Sequence, residues 1–232
     1  MTQPLDKAAI AALANDIVAR TESTYADFVQ RWHLRAERMF LWLMVGQWLF
    51  GILLAFAVSP WAWAGKTRVV SNHVFAAVVL GGLLSALPIA LIKLRPGWVG
   101  TRHVIAFSQI MWGALLIHLT GGRIETHFHV FGSLAFLAFY RDWKVLITAT
   151  LTVAADHFIR GLLIPESVYG VAEASGWRFL EHAGWVAFEV AVLIYGITLS
   201  LRELRRIAEN VAQVEALAER ETYQASPLPA LA

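Results

Sequence analysis

The sequence contains no cysteine. Disulfide staples, thiolate metal ligands, thiol redox chemistry and haem attachment through a CxxCH motif are therefore excluded. Charge is sparse as well. Lys, Arg, Asp and Glu make up 16% of the 232 residues, and the net charge is only +2. No nucleic-acid partner is expected, because none of the concentrated basic surface it needs is evident. No internal repeat is visible. No kinase, cyclase or other catalytic-domain motif occurs, so the chain is not expected to be an enzyme by itself. Residues 1–38 are charged and amphipathic, so no cleavable signal peptide is expected at the start.

What the sequence does have is apolar surface. Hydrophobic residues make up 58% of the chain, ten of the residues are Trp, and the mean hydropathy is +0.57. That is too apolar for one soluble domain of this length, and Trp favours membrane interfaces. The expected class is all-α: a polytopic membrane helix bundle. Six apolar segments fall near 39–58, 73–92, 104–119, 127–140, 145–164 and 179–200. A span needs roughly 20 residues, and the fourth segment is short. Gly, Pro and charge mark the joints, at Ser59-Pro60, Arg95-Pro96-Gly97, Gly121-Gly122, Arg141 to Lys144, and Pro165 to Gly176.

Four regions are expected. Residues 1–38 form a cytoplasmic or interfacial amphipathic helix, and 39–200 a six-span membrane domain. Residues 201–223 form a cytoplasmic stalk, and 224–232 a disordered tail. Lys and Arg concentrate on one side of this arrangement, which places both termini in the cytoplasm. In the stalk, Leu204, Ile207, Val211, Val214 and Ala218 recur at spacings of three and four, a short a/d seam. The seam reads either as an amphipathic helix end or as a parallel homodimer contact.

Topology turns sequence position into depth. His118 ends the third span on the outer side. His127 and His129 open the fourth there, His157 lies in the outer half of the fifth, and His182 stands near the outer entrance of the sixth. His73 opens the second span in the same layer. Only His33 and His103 fall on the cytoplasmic side. Acids and one base join the outer layer: Glu125, Asp156, Arg160, Glu181 and Glu189. Ionisable groups inside a span are costly, so they face partners or cavities rather than lipid. Imidazoles bind copper, iron, nickel or zinc, and neighbouring carboxylates fix the tautomer. His118, His127, His129, His157 and His182 are thus candidate ligands of copper, of iron as b-type haem, or of zinc. The acids and Arg160 would form a polar network around them. His127 and His129 diverge by roughly 200° on a regular helix, so both reach one ion only if the chain is extended there. A metal-free polar network and an unrelated scatter of interfacial histidines remain as alternatives. Asp156 and Arg160 have the spacing of a structural ion pair.

These residues also carry a resemblance. The stretches "HLTGGRIETHFHVFGSLAFLAFYRDWKVL", "DHFIRG", "PESVYG" and "WRFLEHAGWVAFE" resemble the N-terminal six-helix membrane region of bacterial signalling proteins, where it precedes histidine kinase, PAS or diguanylate cyclase modules. The resemblance runs from about 40 to 210 and is densest between 118 and 189. It implies a sensor or input domain in the bacterial inner membrane, with lipid around it. It also implies a cytoplasmic signalling partner or an output domain outside this sequence. Three functions follow. In a sensor, the histidine site changes state and the last span carries the change inward. The alternatives are a cytochrome-like or metal-dependent oxidoreductase, and a metal or proton transporter.

Overall fold

A computed structural model of the protein describes residues 7–64, 67–173 and 175–225. Among them are seven α-helices: α1 (Lys7–Val58), α2 (Asn72–Leu94), α3 (Val99–Leu119), α4 (Ile124–Leu137), α5 (Trp143–Leu163), α6 (Pro165–Tyr169) and α7 (Gly176–Ala225). A 3-10 turn, Ala138–Tyr140, extends α4. An antiparallel hairpin of β1 (Trp61–Ala64) and β2 (Thr67–Val70) joins α1 to α2. The class is all-α, with this hairpin as an addition that the sequence reading lacked.

The chain divides into two compact units. One comprises residues 32–197, the other 1–31 with 198–232. The expected borders at 38 and 200 do not interrupt a helix, because α1 and α7 each run straight through them. No Pro stands near either position to stop the helix. Of the expected tail, 226–232 lies outside the described residues, while Gln224 and Ala225 still belong to α7.

In the 32–197 unit, α3 is the central helix, packed against α2, α4, α5 and α6. Its burial explains its composition. Arg102, Ser108 and Gln109 are buried along with Ile105, Ile110, Trp112 and Ile117. A helix walled by protein can carry polar side chains that lipid would penalise. Trp112 locks this centre. Its ring is fully buried and lies over Gly51 of α1 and Gly81 of α2; a Cβ at either glycine would come within 2.7 or 2.6 Å of it. The indole Nε1 donates to Ser85 Oγ at 3.0 Å, and Ser85 donates to the Met44 carbonyl at 3.1 Å. No polar atom of that chain is left unmatched.

Four helices are long and apolar enough to cross a membrane: Ile10–Val58, Asn72–Leu94, Trp143–Leu163 and Trp177–Arg220. Large apolar side chains crowd their outer surfaces, among them Leu83, Leu87, Leu151, Leu162, Trp185 and Phe188. An apolar surface this continuous is what a bilayer covers and water does not. This is a membrane protein. The third and fourth expected spans, α3 and α4, fall outside those four. One is too polar and central, the other has only 14 residues.

In the smaller unit, the early part of α1 pairs with the late part of α7. Arg20 holds Glu219 through two bonds of 2.7 Å, and Arg205 meets Glu22 at 2.9 Å. Arg205 also lies over the Tyr25 ring. The buried α7 residues are Ala208, Ala212 and Ala216, opposite a part of α1 that buries Thr21. Small side chains let two helices approach closely. Ile207 and Val214, two members of the expected seam, are 50% and 66% exposed.

Candidate histidine site

The site begins with the joint that opens α4. Gly121 and Gly122 take φ of 70° and 76°, a left-handed conformation suited to glycine. Gly122 packs against the backbone of Gly170, which follows α6, so tightly that a Cβ would collide with it. The loop thereby ties the end of α3, the start of α4 and the end of α6 together. Helix α4 starts at Ile124, so His127 and His129 are already helical and diverge.

His127 turns toward α5 and α7. Its ring centroid lies 5.7 Å from that of His157 and 5.3 Å from that of His182, and the last two are 5.8 Å apart. Three imidazoles from three helices thus form a triangle, with Tyr169 of α6 edge-on to His182 at 5.5 Å. They line a pocket that offers about 60 Å³ to water-sized groups, walled by Val130, Val153, Phe179 and Val186. His127 and His157 are each 5% exposed.

The tautomers follow from the backbone. His127 Nδ1 is 2.9 Å from the Arg123 carbonyl, and His182 Nδ1 is 2.7 Å from the Arg178 carbonyl. A carbonyl only accepts, so each Nδ1 carries the proton and each Nε2 keeps its lone pair. His127 Nε2 is buried with no hydrogen-bond partner. His157 Nδ1 lies 3.2 Å from Asp156 Oδ2, within ion-pair distance but without hydrogen-bond alignment. No set of three or more His, Asp or Glu among the described residues stands in ligating geometry.

Asp156 extends the site sideways. Arg160 grips it through Nε and Nη2, both at 2.7 Å. Arg160 Nη1 donates to Ser167 Oγ at 2.9 Å, and Ser167 Oγ is 2.8 Å from His118 Nδ1. His118 in turn meets His73 edge-on at 5.2 Å. His118 therefore belongs to a second histidine group, joined to the triangle through Asp156, Arg160 and Ser167.

His129 goes elsewhere. Its Nε2 is 2.7 Å from Gln47 Nε2, which donates, and its Nδ1 is 3.2 Å from Ser133 Oγ. Gln109 Nε2 donates to the same Ser133 at 3.0 Å. Of the acids, Glu125 and Glu181 are exposed, and Glu189 has one buried oxygen without a partner. The sequence reading missed Gln47, Gln109, Ser133, Ser167 and Tyr169. For Gln47, Gln109 and Ser133 the signal was a polar residue inside an apolar run, which needs a partner wherever it is buried; Ser167 and Tyr169 stand in the joint after Pro165 and carried no such signal.

On the side away from the triangle a second polar cluster forms. Arg102 Nη1 contacts both ring nitrogens of His33, and its Nε is 3.2 Å from Asp142. Glu37 accepts the Gly97 N–H at 2.9 and 3.0 Å.

Comparison with known proteins gives one partial likeness. Over 91 residues the chain is 28% identical to the transducer protein Htr8 of Halobacterium salinarum. That stretch is 39% of this chain and 14% of the transducer. No protein-family model matches the chain, and no solved structure matches it.

Proposed function

We propose that the protein is a multi-pass membrane sensor in which His127, His157 and His182 hold one metal ion. The observation that carries this is the triangle. With nitrogen–metal bonds of ~2.0–2.1 Å, an imidazole centroid lies ~3.2 Å from the ion, and two centroids at a tetrahedral angle lie ~5.2 Å apart. The placed rings are 5.3 to 5.8 Å apart. Ring orientation, more than separation, stands between this arrangement and a chelate. Donation from Nδ1–H to the Arg123 and Arg178 carbonyls leaves Nε2 of His127 and of His182 as the metal-binding atom, the usual division of labour in metal-bound histidine.

The pocket size selects among cofactors. About 60 Å³ accommodates an ion with water, whereas organic ligands occupy pockets of roughly 300–1,000 Å³. This space favours a bare ion over b-type haem. All-imidazole donors suit copper, iron or zinc, and a change of state on binding or redox favours copper.

Transmission follows from covalent continuity. His182 lies on α7, which runs unbroken to Ala225. A change in ion occupancy moves the same helix whose far end belongs to the smaller unit. The partial likeness to a transducer supports a signalling role, with a cytoplasmic partner or output domain receiving the change. Six spans with both termini cytoplasmic fit the charge distribution, with α3 crossing inside a protein jacket and α4 packed on α3 and α5 with Phe128 and Phe136 outward. A second copy packing on the exposed Ile207, Val214 and Leu217 would give a homodimer.

The test is elemental analysis of purified protein with an absorption spectrum. About one ion per chain is expected. His127→Ala, His157→Ala and His182→Ala should each lose most of it. His129→Ala and His103→Ala should retain it. Full retention in all three triangle variants would overturn the site.

A further inference from the structure

We propose that a groove beside Arg160 binds a neutral, membrane-dissolved quinone with its ring directed at His118. This rests on the reading of residues 32–197 as membrane-spanning, and it is independent of the metal. Two adjoining grooves of about 450 and about 600 Å³ share Met111, Asp156 and Arg160, so they form one trough along α3 and α5. Each has the size of a small-molecule site. Their walls are apolar and reach the lipid-facing surface at Leu83, Leu151 and Ile159, which are 64%, 65% and 53% exposed. A ligand with a hydrocarbon tail enters from the bilayer without crossing water.

The inner end of the trough is polar, formed by His118, Ser167, Arg160 and Asp156. Charge decides the headgroup. Arg160 is gripped bidentately by Asp156, so the pair is neutral as a unit. A fatty-acid carboxylate would face Asp156 with its natural counter-ion already engaged. A cationic headgroup would face Arg160. A neutral carbonyl acceptor meets neither penalty. Ser167 Oγ accepts from Arg160, which leaves its own proton free to go to His118 Nδ1. In that tautomer His118 Nε2 carries a proton and can donate to a quinone carbonyl. Close by, His73 Nδ1 is buried without a partner, an acceptor of the kind a hydroquinone hydroxyl would use. Asp156 is also 3.2 Å from His157. One carboxylate therefore borders both the trough and the histidine triangle, so occupancy of one bears on the other.

The whole chain, reconstituted in nanodiscs, is titrated with a short-tailed benzoquinone by equilibrium dialysis, with decanoate and a quinone-free alkyl alcohol as competitors. Saturable binding near one per chain is expected. Ser167→Ala and His118→Leu should each weaken it about tenfold, the loss of one hydrogen bond to a buried acceptor. Leu84→Trp, which fills the trough from its α2 wall, should abolish it. Absence of saturable binding overturns the proposal, as does binding unchanged in Ser167→Ala and His118→Leu. Displacement by decanoate more readily than by unlabelled quinone overturns the choice of a neutral headgroup. Metal content is measured in the same samples. Quinone binding to metal-free wild-type protein would sink the metal reading and leave this one standing; metal without quinone would do the reverse.

Discussion

At the residue scale, Asp156 carries most of the connectivity. Its side chain is 5% exposed, it holds Arg160 by two short bonds, and it stands against His157. Removing one partner of a buried ion pair leaves the other charge without compensation and costs about 3–5 kcal/mol. Asp156→Asn should therefore lower the thermal unfolding temperature in detergent. If the proposed site holds a metal, the substitution should also weaken metal binding by roughly 10–100-fold, because the Asp156 charge stands beside His157. Calorimetry and a metal titration on the same variant separate the two effects. Asp156→Asn with unchanged metal affinity would show that His157 is oriented by something else. The paired histidines of the HFH motif show how far sequence reaches. Their spacing of two said that they diverge on a helix. It could not say that His127 meets α5 and α7 while His129 meets Gln47 and Ser133.

At the element scale, glycines set how closely helices approach. Gly81 admits the Trp112 ring between α1, α2 and α3. Gly81→Ala should cost about 1–3 kcal/mol through overpacking, read as a lower midpoint in thermal unfolding. Gly46, whose Cβ would meet nothing within 4 Å, serves as the control. The helices themselves were legible as apolar runs between Gly, Pro and charged joints. Asp142 caps α5 by accepting from the Lys144 N–H at 3.1 Å, and Pro165 opens α6 at a position where a missing N–H does no harm. The seam in 201–223 was read for its large residues. Within the smaller unit the structure buries Ala208, Ala212 and Ala216 and leaves Ile207 and Val214 exposed.

At the scale of the whole molecule, the absence of cysteine is an experimental advantage. Single cysteines at Glu125 and at Lys144 would stand in loops or helix starts on opposite sides of the proposed topology. Glu125→Cys should react with a membrane-impermeant maleimide in intact cells, and Lys144→Cys only after permeabilisation. Labelling of both from outside would overturn the proposed six-span arrangement. The fold also modifies the case against a transport path. The sequence showed few ionisable groups along the expected inner halves of the spans, yet the bundle gathers His33, Glu37, Arg102 and Asp142 into one cluster away from the triangle. Those groups are engaged with one another and with the Gly97 backbone, as a structural network is.

The sequence by itself determined the class: a helical membrane protein, without thiol chemistry. Composition and charge asymmetry suffice for that, because insertion into a bilayer depends on the hydropathy of each segment and little on its neighbours. Which histidines share a pocket was decided only by the tertiary structure. Depth fixes one coordinate of a side chain, while its partners depend on the rotation of each helix about its axis. That rotation is set by packing, here by Trp112 between two glycines and by Gly122 against Gly170. The same packing placed α3 at the centre, where burial in protein lets a helix carry the polar residues that lipid would reject.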